Sequence, residues 1–268
     1  MIVFPNAKIN IGLNITGKRL DGYHNLETIF YPVGLSDILE FVEFDSPTRL
    51  NVSGLNIHTS EEDNLVLKAY RILKKQYHLP ELNIFLHKMI PTGAGLGGGS
   101  SDASFFVKAL NEYFELGINQ EQLEQYVQKL GSDCPFFINN KTVFAQGTGN
   151  IFSEIELDLS GYQIVIVKPE IHINTKSAFQ NIKFKTPENS LKELVKLPVE
   201  EWKKYIVNDF ESYCFKQFPE ILVMKSRLYS LGALYAQMSG SGSAVFGIFK
   251  TKPEIPTEFN HYFVYTGI

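Results

Sequence analysis

Five glycines fall within seven residues of the segment Pro91-Thr92-Gly93-Ala94-Gly95-Leu96-Gly97-Gly98-Gly99-Ser100-Ser101-Asp102. Glycines at that density leave backbone N–H groups uncovered and permit positive φ. The sequence turns helical directly afterwards, and a helix N-terminus adds unpaired N–H groups and the positive end of a dipole. The segment therefore reads as an anion cradle, with phosphate the natural anion. The alternative is a plain flexible loop, disfavoured because a costly glycine cluster rarely sits idle at a strand–helix junction. Three familiar phosphate motifs fail on particular residues. Gly93 and Gly98 have the Walker A glycine spacing, but Gly99 stands where that motif needs Lys. Gly93, Gly95 and Gly98 also meet the dinucleotide fingerprint, which requires a strand ending in an acidic residue about 20 residues on; the following segment is helical, with Glu112 and Glu115 inside it. The glycine loop of protein kinases requires a Val-Ala-Ile-Lys strand and a His-Arg-Asp loop, and the chain has neither.

Other residues have types suited to phosphoryl chemistry. Lys8 reads by default as a solvated strand lysine, yet a positioned ammonium stabilises charge on a transferring phosphoryl group and favours an ionised carboxylate. Asp133 precedes Cys134 and Pro135 and reads as a turn or N-cap residue. An Asp at a helix start tends to stay ionised, as a general base must, so that reading is compatible with a general-base role as well. Ser100 and Ser101 are either N-caps or hydroxyls that reach phosphate or metal. Tyr23 and His24 follow the Asp21-Gly22 turn and offer either packing surface or a stacking ring with a hydrogen-bonding partner. Cys134 reads as a small core residue rather than a nucleophile. His58, His78, His87, His172 and His261 share no metal-ligand spacing.

The elements that must position these groups follow from periodicity. Ala7, Ile9, Ile11, Leu13 and Ile15 alternate with Lys8, Asn10, Gly12 and Asn14, so the spacing predicts a strand with Lys8, Asn10 and Asn14 on one face. More strand-like sequence runs to about Phe44. Leu65, Ala69, Ile72 and Leu73 predict a helix over 61–77, with Asn64 near its start, and 82–87 reads as a strand leading into the glycine loop. Ala103, Phe106, Val107, Leu110, Tyr113 and Phe114 predict a helix beginning close to residues 100–102. Asn119 and Gln122 form a capping box for a helix over 120–130, with Gly131 placed as its terminator. A second half begins near Ser160-Gly161. It contains a buried strand over 162–167, helices over 191–197, 199–215 and 219–231, and closing strands around residues 239–243. Runs of both elements without strict alternation indicate α+β.

Composition bounds the class. The 268 residues carry 25 Lys+Arg against 29 Asp+Glu, a net charge of −4, which argues against binding nucleic acid as a polymer. No apolar run reaches the roughly 18 residues a membrane helix needs, and the first residues do not pattern as a secretory signal. Two distant cysteines, Cys134 and Cys214, exclude a disulfide scaffold and suit a reducing cytoplasm.

Taken together, the segment from Pro91 to Asp102 resembles the phosphate loop of the GHMP kinases, the superfamily of galactokinase, homoserine kinase and mevalonate kinase. Asn6-Ala7-Lys8-Ile9-Asn10-Ile11-Gly12-Leu13 and Thr16-Gly17-Lys18-Arg19-Leu20-Asp21-Gly22-Tyr23-His24 resemble the branch that acts on a cytidine diphosphate alcohol. Gly131-Ser132-Asp133-Cys134-Pro135-Phe136-Phe137 is similar to that branch's catalytic-Asp segment. Asn208-Asp209-Phe210-Glu211 and Ser239-Gly240-Ser241-Gly242-Ser243-Ala244-Val245-Phe246 are similar to its C-terminal signatures. The motifs run in family order over residues 6–246. Ser132, Cys134 and Thr92 depart from frequent Ala, Val and Met without removing a functional group.

The resemblance implies a two-lobed α+β fold. Its N-terminal lobe, over 1–158, would be like the second domain of ribosomal protein S5, and a smaller α/β sandwich lobe would occupy 159–268. It implies ATP and Mg²⁺ as cofactors and transfer of phosphate to the 2-hydroxyl of 4-diphosphocytidyl-2-C-methyl-D-erythritol, in the non-mevalonate supply of isoprenoid precursors. It further implies Asp133 as general base, Lys8 as its electrostatic partner, and Pro91 to Ser101 as the ATP-phosphate loop, with Asn64 near the adenine. On the substrate side it implies Tyr23 stacking on cytosine, His24 hydrogen-bonding it, Phe179 as a second ring, and Asn10 and Thr175 as further contacts. No protein partner is implied. A GHMP kinase for mevalonate or homoserine is the rival within the class, and Gly22-Tyr23-His24 argues against it because those substrates carry no pyrimidine. A catalytically dead nucleotide-binding sensor is the rival outside it, and retention of both Lys8 and Asp133 argues against that.

Overall fold

The alternating residues at the start of the chain do form a strand, Asn6–Lys18. Its polar face is not a solvent face, however: Lys8 and Asn10 are each 3% exposed and Asn14 7%. The computed structural model that gives this picture describes residues 1–57, 60–182 and 189–267; His58 lies outside them. The chain divides into two compact units drawn from interleaved segments. One comprises Met1–Ala7, Leu35–Thr92 and Gly97–Lys141, the other Lys8–Gly34, Gly93–Leu96 and Thr142–Ile268.

In the first unit, a four-stranded sheet runs in the order Ile2–Val3, Ile38–Glu43, Leu82–Lys88, Arg49–Gly54. The last pair is parallel and the others antiparallel. The helices Leu65–Tyr77, Gly98–Tyr113, Gln120–Gln128 and Cys134–Asn139 belong to the same unit. Its core joins Leu39, Phe41, Ile84 and Leu86 of the sheet to Leu73, Phe106, Leu110 and Val127 of the helices. Each such side chain contributes on the order of 1.5–3 kcal/mol when fully buried. The capping box of Asn119 and Gln122 is present in both directions. That helix ends at Gln128 with a right-handed C-cap at Lys129, so Gly131 is not the left-handed terminator that sequence position suggested.

The second unit holds two four-stranded sheets. One is ordered Asn6–Lys18, His24–Ser36, Val143–Gln146, Ile151–Glu154; the other is Tyr235–Met238, Val245–Phe249, Gln163–Lys168, Phe263–Gly267. Leu13, Ile15, Val165, Val167, Ile221, Leu228 and Val245 share its core. The single helix expected over 199–215 is instead two, Val199–Tyr205 and Glu211–Gln217. The cause is a non-local pairing: Leu13 donates its N–H to the Val207 carbonyl at 2.9 Å and accepts from the Asp209 N–H at 2.9 Å, forming a parallel bridge between Leu13 and Asn208. Backbone groups used in that way are lost to helical hydrogen bonding. Among the described residues no helix is long and apolar enough to cross a membrane.

Candidate active site

In the second unit, the loop residues Gly93 and Gly95 have φ of +62° and +75°. At Gly95 the reason is close approach as well as φ: a Cβ there would lie 2.0 Å from the Ser239 carbonyl oxygen. Three consecutive loop carbonyls turn toward this unit. Ala94 O accepts from the Ala244 N–H at 3.1 Å, Gly95 O from the Ser239 hydroxyl at 2.8 Å and the Lys8 ammonium at 3.1 Å, and Leu96 O from the Lys8 N–H at 3.0 Å. The C=O and N–H of one planar trans peptide point in opposite directions. The N–H groups of Gly95, Leu96 and Gly97 therefore turn away from these donors, as an anion cradle requires.

The Lys8 ammonium also donates to Asn10 Oδ1 at 2.5 Å and lies 4.8 Å from the centre of the Phe30 ring. Asn10 Nδ2 donates to Thr28 Oγ1 at 3.0 Å, and Thr28 donates in turn to the Gly12 carbonyl at 2.5 Å. Lys8 and Asn10, paired on the sequence pattern, are thus brought into contact. Thr28 is a member of the network that pattern reasoning missed, since nothing local marks it.

Farther along this unit, His24 stacks on Phe179 with ring centres 5.2 Å apart and planes inclined by 21°, and Phe179 meets Phe210 edge-on at 4.8 Å. Tyr23 is 66% exposed, a ring presented to solvent. Thr175 begins the helix Thr175–Gln180, and its hydroxyl lies 3.0 Å from that of Ser241. Burial, and then the charge of Lys18, holds the His24 imidazole below its usual value, which favours the neutral ring. A neutral ring both donates and accepts, whereas an imidazolium can only donate.

In the first unit the loop enters its helix. Gly97, with φ +72°, is the N-cap, and no side chain caps the helix. Ser100 and Ser101 are therefore not N-caps; they fall inside the first turn of a helix that begins at Gly98. Ser101 is fully buried and its Oγ has no hydrogen-bond partner. Asn64 is the N-cap of Leu65–Tyr77, its Oδ1 accepting from the Val66 N–H at 2.9 Å. The helix it starts lies close to the loop helix, with Leu65 Cδ1 3.9 Å from the Cβ position of Gly99. Asp133 is the N-cap of Cys134–Asn139, makes no side-chain capping bond, and accepts a long 3.3 Å contact from the Ser132 hydroxyl. Cys134 is fully buried, and burial pushes its thiol up to about 11, which fits a core residue and not a nucleophile.

Sequence reasoning missed one charged cluster in this unit entirely. The buried Lys88 ammonium pairs with Asp37 and, at 2.6 Å, with Asp102. Asp37 Oδ1 also accepts from the N–H groups of Met89 and Ile90 at 2.5 and 2.8 Å, fixing the chain where it approaches the loop. Burial would lower the Lys88 ammonium, but the charges of Asp102 and Asp37 outweigh it and hold it above its usual value. Burial pushes Asp102 up to about 8, with Lys88 opposing and Asp37 adding to the rise. A carboxyl raised from 3.8 to about 8 binds its proton more tightly in the folded state. Its contribution to stability is complete below pH 3.8 and lost as pH rises through 8. Asp102→Asn, a permanent mimic of the protonated form, is expected to flatten the decline in denaturant midpoint between about pH 4 and 8. Parallel declines in the two proteins would show that Asp102 is ionised throughout.

Among the described residues no group of three or more His, Cys, Asp or Glu could hold a metal ion.

Two sequence families match the chain: GHMP kinases N terminal domain over residues 64–141 and GHMP kinases C terminal over 190–260. A 4-diphosphocytidyl-2-C-methyl-D-erythritol kinase of Bacteroides thetaiotaomicron is 55% identical over 259 residues, spanning 96% of this chain and 94% of that one. The protein of the same name from Chlorobium phaeobacteroides is 40% identical, over 91% of this chain and 85% of that one. A crystal structure of a 4-(cytidine 5'-diphospho)-2C-methyl-D-erythritol kinase superposes with a TM-score of 0.79 at 29% identity, over 92% of this chain and 90% of that one. The Methanococcus jannaschii mevalonate kinase, at 13% identity and a TM-score of 0.69, shares the fold over 99% of this chain and 97% of that one.

Proposed function

This chain belongs to the 4-diphosphocytidyl-2-C-methyl-D-erythritol kinases of the GHMP kinase superfamily, and from that membership we propose how it transfers the γ-phosphoryl group of ATP to the 2-hydroxyl of that alcohol. The observation that carries the mechanism is the Gly93–Gly97 loop, whose carbonyls are bound by Lys8, Ser239 and Ala244 while its N–H groups turn the other way. Phosphoryl transfer is mostly positioning and electrostatics, so a cradle, a cation and a base suffice for the protein's part. Asp133 takes the proton of the 2-hydroxyl as that oxygen attacks, and Lys8 stabilises the charge spread over the transferring group. Residues 91–101 hold the ATP phosphates, and Asn64 lies toward the adenine.

Mg²⁺ fits this assignment on one observation, the buried Ser101 hydroxyl without a partner. Mg²⁺ keeps several waters and phosphate oxygens and needs few protein ligands, so the lack of an acidic cluster among the described residues is no obstacle. Ser101, with Ser100 beside it, would hold the ion. When bound, it neutralises charge on the β- and γ-phosphates.

On the alcohol side, Tyr23 stacks on cytosine, His24 hydrogen-bonds it, Phe179 supplies the second ring, and Asn10 and Thr175 contact the rest. Base–aromatic stacking is worth about 1–3 kcal/mol, so Tyr23→Ala is expected to raise the KM for the alcohol by roughly tenfold or more while that for ATP stays unchanged. An effect on ATP affinity alone would remove the stacking role. The two family matches lie on either side of a boundary between lobes over 1–158 and 159–268, whereas the compact units interleave, Lys8–Gly34, Gly93–Leu96 and residues 142–158 grouping with the second half. A cytoplasmic setting accords with two buried, unpaired cysteines. The function is tested with purified protein, ATP, Mg²⁺ and the alcohol. The expected products are ADP and the 2-phosphate, its position read by phosphorus NMR; phosphate on any other hydroxyl refutes the assignment.

A further inference from the structure

The motif around Asn208 has no part in the mechanism above, and that around Ser239 enters it only through the loop carbonyls, yet the hydrogen bonds of both lead to Lys8. The lysine ammonium has Gly95 O at 3.1 Å and Asn10 Oδ1 at 2.5 Å. Both neighbouring groups are tied to one hydroxyl: Ser239 Oγ donates to Gly95 O at 2.8 Å and accepts from the Asn10 N–H at 3.1 Å. Ser239 is fully buried, so no water competes for those bonds. Its own place is fixed from either side. Asn208 Nδ2 donates to Met238 O at 2.7 Å and to Gly240 O at 2.8 Å, the carbonyls that flank Ser239. Asn208 Oδ1 accepts from the Phe210 N–H at 3.0 Å, which fixes the amide's orientation. Neighbouring side chains of the same segment brace the two strands: Asp209 Oδ2 accepts from the Ile15 N–H at 2.7 Å, and Glu211 Oε1 from the Met238 N–H at 2.9 Å. Lys225 neutralises Glu211 at 2.6 Å.

We infer that Ser239, held by Asn208, is a positioning residue for the transfer step: it sets the Lys8 ammonium and the Gly95 peptide in register with one another. Neither residue touches the reacting atoms. The inference rests on the role given above to Lys8. Its consequence is that removing the Ser239 hydroxyl misplaces Lys8 and the loop together, and a misplacement near 1 Å costs up to about 100-fold in rate.

The test is a double-mutant cycle of Ser239→Ala and Lys8→Met, with single-turnover transfer rates and melting temperatures for all four proteins. Ser239→Ala removes one oxygen and adds no volume. The expected result is a 10–100-fold loss of kcat, with KM for ATP and for the alcohol within about threefold of wild type. In the Lys8→Met background the same substitution should cost threefold or less, because the group it positions is gone. Asn208→Asp, which replaces the donor facing two carbonyls by an acceptor, should reproduce the loss of kcat. A wild-type kcat in Ser239→Ala, or an equal factor in both backgrounds, overturns the positioning role while leaving Lys8 in place. Wild-type activity in Lys8→Met refutes the role of Lys8 itself, a distinguishable failure.

Discussion

Replacing Asp133 by Asn is expected to lower kcat by about two orders of magnitude or more, with ATP still bound. The carboxylate stands at the N-cap of Cys134–Asn139 without making a capping bond, so the substitution removes no side-chain cap. Asparagine keeps the shape and the 3.3 Å neighbour, the Ser132 hydroxyl. What disappears is the negative charge, and with it the capacity to accept a proton from an attacking hydroxyl. The loss should therefore appear in kcat, with the melting temperature and nucleotide affinity close to wild type. Steady-state kinetics with a nucleotide-binding titration checks both halves, and full activity in Asp133→Asn would refute the base assignment.

Gly95→Ala is expected to be severe for a different reason. A Cβ at Gly95 meets the Ser239 carbonyl oxygen at 2.0 Å and its carbon at 2.9 Å, and φ is +75°. The obstacle is backbone, which cannot rotate aside as a side chain tip can. Left-handed φ alone costs an L-residue roughly 1–2 kcal/mol, and the displaced peptide would also lose its bonds to Ser239 and Lys8. Both a drop in melting temperature of several degrees and a loss of more than tenfold in kcat/KM for ATP should follow. Gly99→Ala is the control for stability. Its Cβ would have 3.9 Å to the nearest atom, its φ is not left-handed, and alanine in a helix is favoured over glycine by about 0.5–1 kcal/mol. Equal melting temperatures for the two variants would contradict the loop geometry.

What was legible in the sequence was local or periodic. The strand bearing Lys8, the helix after the glycine loop and the capping box of Asn119 follow from spacing that short segments impose on themselves. The interactions that make the site follow from no such spacing. Lys8 meets Gly95 across 87 positions, and Asn10 meets Ser239 across 229. The expected helix over 199–215 failed for the same reason, since the backbone around Asn208 is claimed by Leu13. Lys88, Asp37 and Asp102 look like ordinary surface charges until folding buries them together, because pattern reasoning places charged residues outside. Tyr23 and His24 could be singled out by resemblance, but the stacking of His24 on Phe179 joins residues far apart in the chain and follows from no local pattern.

The net charge of −4 fits the chemistry once attraction is local. Peptide N–H groups, a helix terminus and Lys8 can hold a nucleotide without a basic surface, whereas a nucleic-acid polymer would need one. The central claim, a kinase whose acceptor is chosen by its cytidine, is tested most directly by comparing kcat/KM for 4-diphosphocytidyl-2-C-methyl-D-erythritol and for mevalonate with the same ATP and Mg²⁺. The expected result is efficient turnover of the cytidine diphosphate alcohol with none of mevalonate. Turnover of mevalonate without turnover of the cytidine compound would contradict it.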